Sequence, residues 1–417
     1  MKRLLRAWAV DPPLVAAVLA LTLFGLAMIY SAGITHFPEP GVVNAWRRQA
    51  VWFVLGLVAF TLVSRISVRW LEWAALPAYV VGLVLLAATL IVGTGAGTAA
   101  GTKSWIDFGG GFRFQPAEPA KLATILALAR FLSSKGDAPN SLRDLVVPGA
   151  IAAAPLALVM LQPDLGTAQA FVGILFAALF WAGTPIPLLL LLASPLPSMI
   201  LAFDTVWWSF YFVVLLAALY LWRYRLFFYE SVAVVIANLA AGTIAAPLWN
   251  SLAPYQQNRL LVFLNPEVDP RGAGYHLIQS MVAVGSGGVW GKGFTAGTQK
   301  AFDFLPEQHT DFIFSVVGEE FGFAGVMVVL LLFTLVLGRL VRLAEEVGDP
   351  FAGLVLLGIF GAWLVHIFVN IGMTVGLVPV TGIPLPFVSY GGSFLLMSWV
   401  GVALAARVAH DDERIVA

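Results

Sequence analysis

Between Leu14 and Ser31 the chain reads LVAAVLALTLFGLAMIYS, eighteen residues without a charge. An apolar run of about 18 or more residues is long enough, as a helix, to cross the hydrocarbon core of a bilayer. Lys2, Arg3 and Arg6 stand ahead of it, as in a secretory signal. A signal's apolar region spans only ~7–15 residues, so this run is expected to stay in place as a first transmembrane helix. The rest of the chain has the same character. Its 417 residues are 60% hydrophobic and 11% charged, with mean hydropathy +0.90. A soluble domain carries roughly 25% charged residues, so the class expected is an all-α polytopic integral membrane protein. The absence of cysteine excludes disulfides, thiolate metal sites and a cysteine nucleophile. A net charge of zero gives no reason to expect a nucleic-acid partner.

Apolar segments recur near 14–31, 48–66, 74–92, 116–133, 145–161, 166–183, 186–202, 207–222, 231–248, 312–338, 352–378 and 390–409. The pair spanning 186–222 is short and reads as one hydrophobic hairpin. With the N-terminus inside, 14 of the 23 Lys and Arg residues fall at inner positions, among them Arg65, Arg69, Arg130, Lys135, Arg143, Arg223, Arg225, Arg339, Arg342, Arg407 and Arg414. By the positive-inside rule this orientation is the expected one. It places the long segment 249–310 outside, far longer than an ordinary connection. Within it, LIQSMVAV suits an interfacial or re-entrant helix.

The chemistry-bearing residues gather on that outer side. GSGGVWGKGF (285–294) fails as a phosphate loop, because Ser286 replaces the first glycine and Gly293 the final Ser/Thr. No zinc-type histidine spacing and no nucleophile elbow occurs. Pro116 and Pro119 suit a first helical turn, which sets Glu118 and Lys121 on one helix face. They read as a local ion pair or, being ionisable at membrane depth, as functional groups. Asp164 in LQPDLGT is turn and cap chemistry or a site residue. Thr310 is a plausible N-cap with Asp311 in the first turn, which leaves Glu307, Gln308 and His309 unexplained. Arg47 and Arg48 run against the charge trend, as interfacial snorkels or an anionic-headgroup site. Glu267, Asp269, Arg271 and Lys292 stand in one glycine-rich stretch. Carboxylates beside cations suit transfer on an anionic lipid. From residues alone a membrane transferase, a transporter and a structural scaffold all stay open.

NPEVDPRGAGYHLIQSMVAVGSGGVWGKGF, GTQKAFDFLPEQHTDFIFSVVGEEFGF, FQPAEPAKL, LQPDLGT and PLPFVSYGGS resemble, in order and over nearly the whole chain, the signatures of the SEDS (shape, elongation, division and sporulation) family. GAGYH, KGF…GTQ and FLPEQHTDF look more like its RodA, elongation-type branch than its FtsW, division-type branch. The resemblance implies a single membrane domain over 1–417 with a SEDS fold of ten transmembrane helices, here with about two extra apolar segments at 186–222, and a catalytic extracytoplasmic loop at 249–310. It implies a peptidoglycan glycosyltransferase in the bacterial inner membrane that polymerises lipid II at the outer face, releasing undecaprenyl pyrophosphate. The alternative kept beside it is a lipid II flippase.

The family's essential aspartate carries over to Asp269 in DPRGAGY, with Asn265 where many members have a second aspartate. Its glutamate–lysine pair carries over to Glu118 and Lys121, implied to be catalytic with Asp269, and its arginine before the second helix to Arg48, implied to bind substrate. Asp164, Lys292, Gln308, His309 and Ser389 fall in its motifs as substrate-binding residues. A pyrophosphate leaving group calls for cations such as Arg48, Lys121 or Lys292, or a divalent ion such as Mg2+. The glycines are expected to let backbone approach the saccharide. A class B penicillin-binding protein is the implied partner. Gly322, Gly325, Gly358 and Gly361 would let it pack closely, or would serve packing within the chain.

Overall fold

The computed structural model describes residues 11–36, 40–95, 103–109, 113–221, 228–252, 254–270, 272–302 and 304–413. Lys2, Arg3, Arg6, Arg223, Arg225, Arg271 and Arg414 lie outside them. All twelve apolar segments are helical. They form α1 (Pro12–Ala32), α2 (Ala45–Val63), α3 (Val68–Val92), α4 (Ala117–Lys135), α5 (Leu142–Met160) and α6 (Leu165–Trp181). Then follow α7 (Ile186–Ala193), α8 (Pro195–Leu201), α9 (Thr205–Leu221) and α10 (Phe228–Ser251). After the long connecting segment come α13 (Ile313–Glu346), α14 (Pro350–Thr374) and α15 (Gly392–Glu413). Among the described residues, eight helices are long and apolar enough to cross a membrane. This is a multi-pass membrane protein.

Burial ranks the helices. In α14 and α15, 78% of the apolar window is buried, against 17% in the second span. The first two are therefore the centre of the bundle, and the outer ones present apolar side chains such as Val54, Val58 and Leu62 to lipid. Glycines bring the central helices together. A Cβ at Gly361 would lie 2.4 Å from the Gly173 carbonyl of α6, and one at Gly358 2.6 Å from Ile125 of α4. Both positions are spent on packing inside the chain, not on a free helix face. Asp11 caps α1 and also receives Arg339 of α13 at 2.7 Å, tying the first helix to a late one.

The segment expected as one helix over 186–202 is broken at Ser194–Pro195, where proline cannot donate its backbone N–H. With α9 and α10 it forms a satellite core around Leu191, Leu215 and Val234. Buried Asn238 is its polar hub. It donates to Ser194 Oγ at 2.8 Å and accepts from Tyr211 at 3.0 Å.

The 249–310 stretch is not a loose loop. It carries α11 (Pro254–Leu264), a 3-10 turn (Pro266–Val268) and α12 (Ala273–Ser286). Helix α12 contains the LIQSMVAV stretch, buries Leu277 and Ala283, and packs on α13, with Ser280 and Ser315 hydrogen-bonded at 2.7 Å. Helix α13 breaks at Gly322, whose φ is 61°. The glycine-rich 287–293 segment fills that break. Gly293 N–H donates to Glu320 C=O (2.9 Å), Lys292 N–H to Glu319 C=O (3.0 Å), and Phe323 N–H to Gly288 C=O (2.9 Å). These bonds replace the helical ones the break removes. A Cβ at Gly322 would lie 2.4 Å from Gly291 N, so no side chain fits. These glycines therefore seat backbone against backbone, which corrects the expectation that they approach a saccharide.

Candidate active site

Where α11, α12 and the approach to α13 meet, they enclose a cavity of about 450 Å3. Asn258, Arg259, Asp269, Gly272, His276, Glu307, Asp311, Phe312, Val380 and Gly382 line it. Of the residues singled out for substrate in the sequence, Asp269 alone stands among them.

The local sequence explains how Asp269 is held. Asn265 accepts the Glu267 N–H at 3.1 Å and starts the 3-10 turn, which delivers Asp269 at its end. Asp269 Oδ1 then accepts the N–H of Gly272, three residues on, at 2.9 Å. The carboxyl folds so closely over the backbone that a Cβ at Gly272 would lie 2.2 Å from Oδ2. A Cβ at Gly274 would lie 2.5 Å from the Pro266 carbonyl. The spacing of aspartate and glycines in DPRGAG is thus a steric requirement.

The opposite wall is the run before α13. Glu307, which is not glycine, has φ 50°, and its carbonyl accepts N–H groups from Thr310, Asp311 and Phe312. A left-handed non-glycine residue at a cavity wall is strain retained where the surroundings hold it. Thr310 is not the N-cap expected from the sequence. Phe312 occupies that position without a side-chain cap, and the Thr310 hydroxyl turns back to Glu307 C=O at 3.1 Å. Asp311 is therefore not capping chemistry either. Burial, then Glu307, pushes its carboxyl up to about 7. Burial with the nearby Arg48 holds His309 down to about 4. Burial and Arg259 also lower the imidazole of His276, which stacks on Phe312.

The remaining sequence candidates stand around this cavity. Glu118 and Lys121 pair at 2.9 Å, both buried, and Lys121 Nζ also meets His366 Nε2 at 2.9 Å. His366 Nδ1 reaches Pro384 C=O at 3.1 Å, so the pair is linked to the segment that carries Val380 and Gly382. Asp164 caps α6 through Thr167 and accepts from Gln115 at 3.0 Å. Ser389 donates to Thr310 C=O at 2.6 Å and accepts the Leu385 N–H at 2.8 Å, clamping the two walls' supports together. Gln308 donates to Ala32 C=O at 3.0 Å. Arg48 lies over the Tyr390 ring at 5.6 Å, and its buried Nε has no hydrogen-bond partner. Lys292 is engaged elsewhere. Its Nζ bonds Glu319 and the Thr298 hydroxyl, each at 2.7 Å, bracing the broken helix. Lys300 braces the same break through Glu320 at 2.5 Å.

Arg259, His276 and Asp311 escaped the sequence reading as site residues. Only the unexplained polar cluster just before the tenth segment pointed toward them. Among the described residues, no group of three or more His, Asp or Glu side chains is arranged to hold a metal ion.

The model of the FtsW/RodA/SpoVE family, described as cell cycle protein, matches residues 13–227 and 204–414. The chain is 36% identical over 429 residues to the peptidoglycan glycosyltransferase RodA of Treponema pallidum, covering 95% of this chain and 97% of that one. It is 34% identical over 399 residues to the peptidoglycan glycosyltransferase MrdB of Escherichia coli, covering 95% and 93%. Its fold matches a chain in the solved structure "Structural coordination of polymerization and crosslinking by a peptidoglycan synthase complex" with a TM-score of 0.70 and 33% identity, covering 96% and 98%.

Proposed function

Because the chain belongs to the FtsW/RodA/SpoVE cell cycle protein family and is a RodA-type peptidoglycan glycosyltransferase, we propose that the Asp269 cavity is its transfer site. There it joins lipid II units into β-1,4-linked glycan strands at the outer face of the cytoplasmic membrane and releases undecaprenyl pyrophosphate. The observation that carries this reading is the Asp269 carboxyl, fixed by the Gly272 N–H in the wall of a cavity of about 450 Å3.

A sugar hydroxyl is a weak nucleophile until its proton is taken. Asp269 serves as the base that accepts it while the hydroxyl oxygen bonds to the donor's anomeric carbon. The bond from that carbon to the diphosphate oxygen breaks in the same step. Attack opposite the leaving group converts an α-linked donor to a β product, by the single-displacement logic of inverting sugar chemistry. The diphosphate departs as an anion and needs cationic compensation. Arg259 lines the cavity, and Arg48 keeps a buried donor without a partner.

Glu118 and Lys121 act here as positioning residues through His366 and Pro384, with Asp164, Gln308, His309 and Ser389 holding the surrounding segments. Lys292 holds the α13 break. The solved complex named above couples polymerisation with crosslinking, and we assign this chain a crosslinking class B penicillin-binding protein as partner. The decisive experiment gives purified protein labelled lipid II, with and without the transpeptidase, and resolves the products by gel. Glycan strands that disappear with Asp269→Asn are expected. Movement of lipid II across a vesicle membrane without strand formation would instead make the protein a flippase.

A further inference from the structure

The cavity has an unusual charge balance for a site that receives a diphosphate. Among the described residues, three carboxyl groups, Asp269, Glu307 and Asp311, line it, beside a single Lys or Arg, Arg259. Three carboxylates would repel the substrate's diphosphate across short distances of reduced dielectric. Asp311 is the carboxyl placed to relieve this. It does not cap α13, as shown above. Its backbone is pinned by Asn370 of α14, whose Nδ2 donates to Asp311 C=O at 2.9 Å and to Ile383 C=O at 2.7 Å. Beside the carboxyl stands Gly382, with φ 74°, where a Cβ would come within 3.1 Å of Asp311 Oδ2. A side chain there would crowd that oxygen and fill the cavity. Asn370 thus fixes the Asp311 backbone to the 383 segment, and Gly382 leaves room for its carboxyl in the wall.

We propose that Asp311 is a second catalytic carboxyl, which works as a neutral acid and donates a hydrogen bond to an oxygen of the substrate's sugar diphosphate. This rests on the cavity being the transfer site. The two aspartates then hold opposite protonation states, Asp269 accepting the proton from the hydroxyl and Asp311 keeping its own. Separation of two carboxyls into acid and base roles by environment is a general device of enzymes. The groups facing Asp311 agree with it. Glu307 on its own segment and Asp164 at the start of α6 favour the protonated form, whereas Arg259 and the Thr310 hydroxyl oppose it, and burial outweighs both. His276 and Asp269 complete the titratable lining.

The test uses the full chain in detergent with labelled lipid II, with initial rates from about pH 6 to about pH 9. Compared are wild type, Asp311→Asn, Asp311→Ala and Asp269→Asn. Asparagine keeps a donor at the same place and cannot ionise. Wild type should lose activity on the alkaline side. Asp311→Asn should lack that alkaline fall and retain about tenfold more activity than Asp311→Ala, the effect of one hydrogen bond to a charged group. An alkaline fall unchanged in Asp311→Asn overturns the inference, as does equal activity of the two variants. If alanine prevents folding, judged by thermal unfolding, the pH profile of the asparagine variant decides alone. An active Asp269→Asn would reject the transfer-site reading itself. An inactive Asp269→Asn with an indifferent Asp311 rejects only this inference.

Discussion

Lys121 Nζ and His366 Nε2 stand 2.9 Å apart in the buried centre of the bundle, joining α4 to α14. The ammonium can only donate, so Nε2 must accept, and Nδ1 carries the proton toward Pro384 C=O at 3.1 Å. His366 is therefore neutral and joins the Glu118–Lys121 pair to the segment that lines the cavity. Replacing His366 with Leu removes an acceptor from a buried ammonium. We expect a loss of about 1.5–3 kcal/mol in stability together with reduced polymerisation. Chemical denaturation and lipid II assays on the same preparation measure both.

Exchanging Glu118 and Lys121 should not restore activity lost in either alanine variant. The exchange sets a carboxylate where His366 now accepts from an ammonium, and moves the cation away from the Pro384 segment. Full recovery in the swapped protein, measured as glycan yield, would show that only the net charge of the pair matters.

Asp269→Asn should leave the fold intact and lower polymerisation by at least ~10²-fold, the low end for a general base. Asn265→Ala should be milder, because Asn265 caps the 3-10 turn through the Glu267 N–H and carries no proton in the reaction. Rates of the two variants at one lipid II concentration rank them. A dead Asn265→Ala beside an active Asp269→Asn would reverse the assignment.

Stability should depend on pH in two opposed ways. Asp311 is raised to about 7 in the fold, so its contribution is present below about pH 4, the unfolded carboxyl range, and is lost as pH rises toward 7. His309 is lowered to about 4, so its contribution is present above about pH 6.5 and is lost as pH falls toward 4. The two slopes offset one another between about pH 4 and pH 6.5, so thermal unfolding should show stability rising with pH across that window in Asp311→Asn and falling with pH across it in His309→Gln.

Two glycines of α13 should respond oppositely to alanine. Gly322 has φ 61° and backbone 2.4 Å from where a Cβ would sit, so Gly322→Ala should cost about 1–3 kcal/mol or more in strain. Gly338 has open space at that position, and Gly338→Ala should stabilise by about 0.5–1 kcal/mol as a helix-interior change. Melting temperatures of the pair test whether the break is built in.

Much of this protein was determined by local composition. A helix that satisfies its own backbone is the stable form of an apolar segment in lipid, so twelve apolar runs marked twelve helical regions, one of them split at Pro195 and another broken at Gly322. The DPRGAG spacing likewise announced Asp269, because the glycines are required within a few residues of the carboxyl they accommodate. What tertiary structure alone decided are the pairings. Lys292 looked like a companion of Asp269, 23 positions away, yet it binds Glu319 beyond the cavity. Gly358 and Gly361 looked available to a partner and are spent on α4 and α6. Arg259, His276 and Asp311 converge on Asp269 only because α12 lies against α13 and Asn370 holds the 383 segment to Asp311. Such contacts depend on the mutual placement of distant helices, and no spacing along the chain records it.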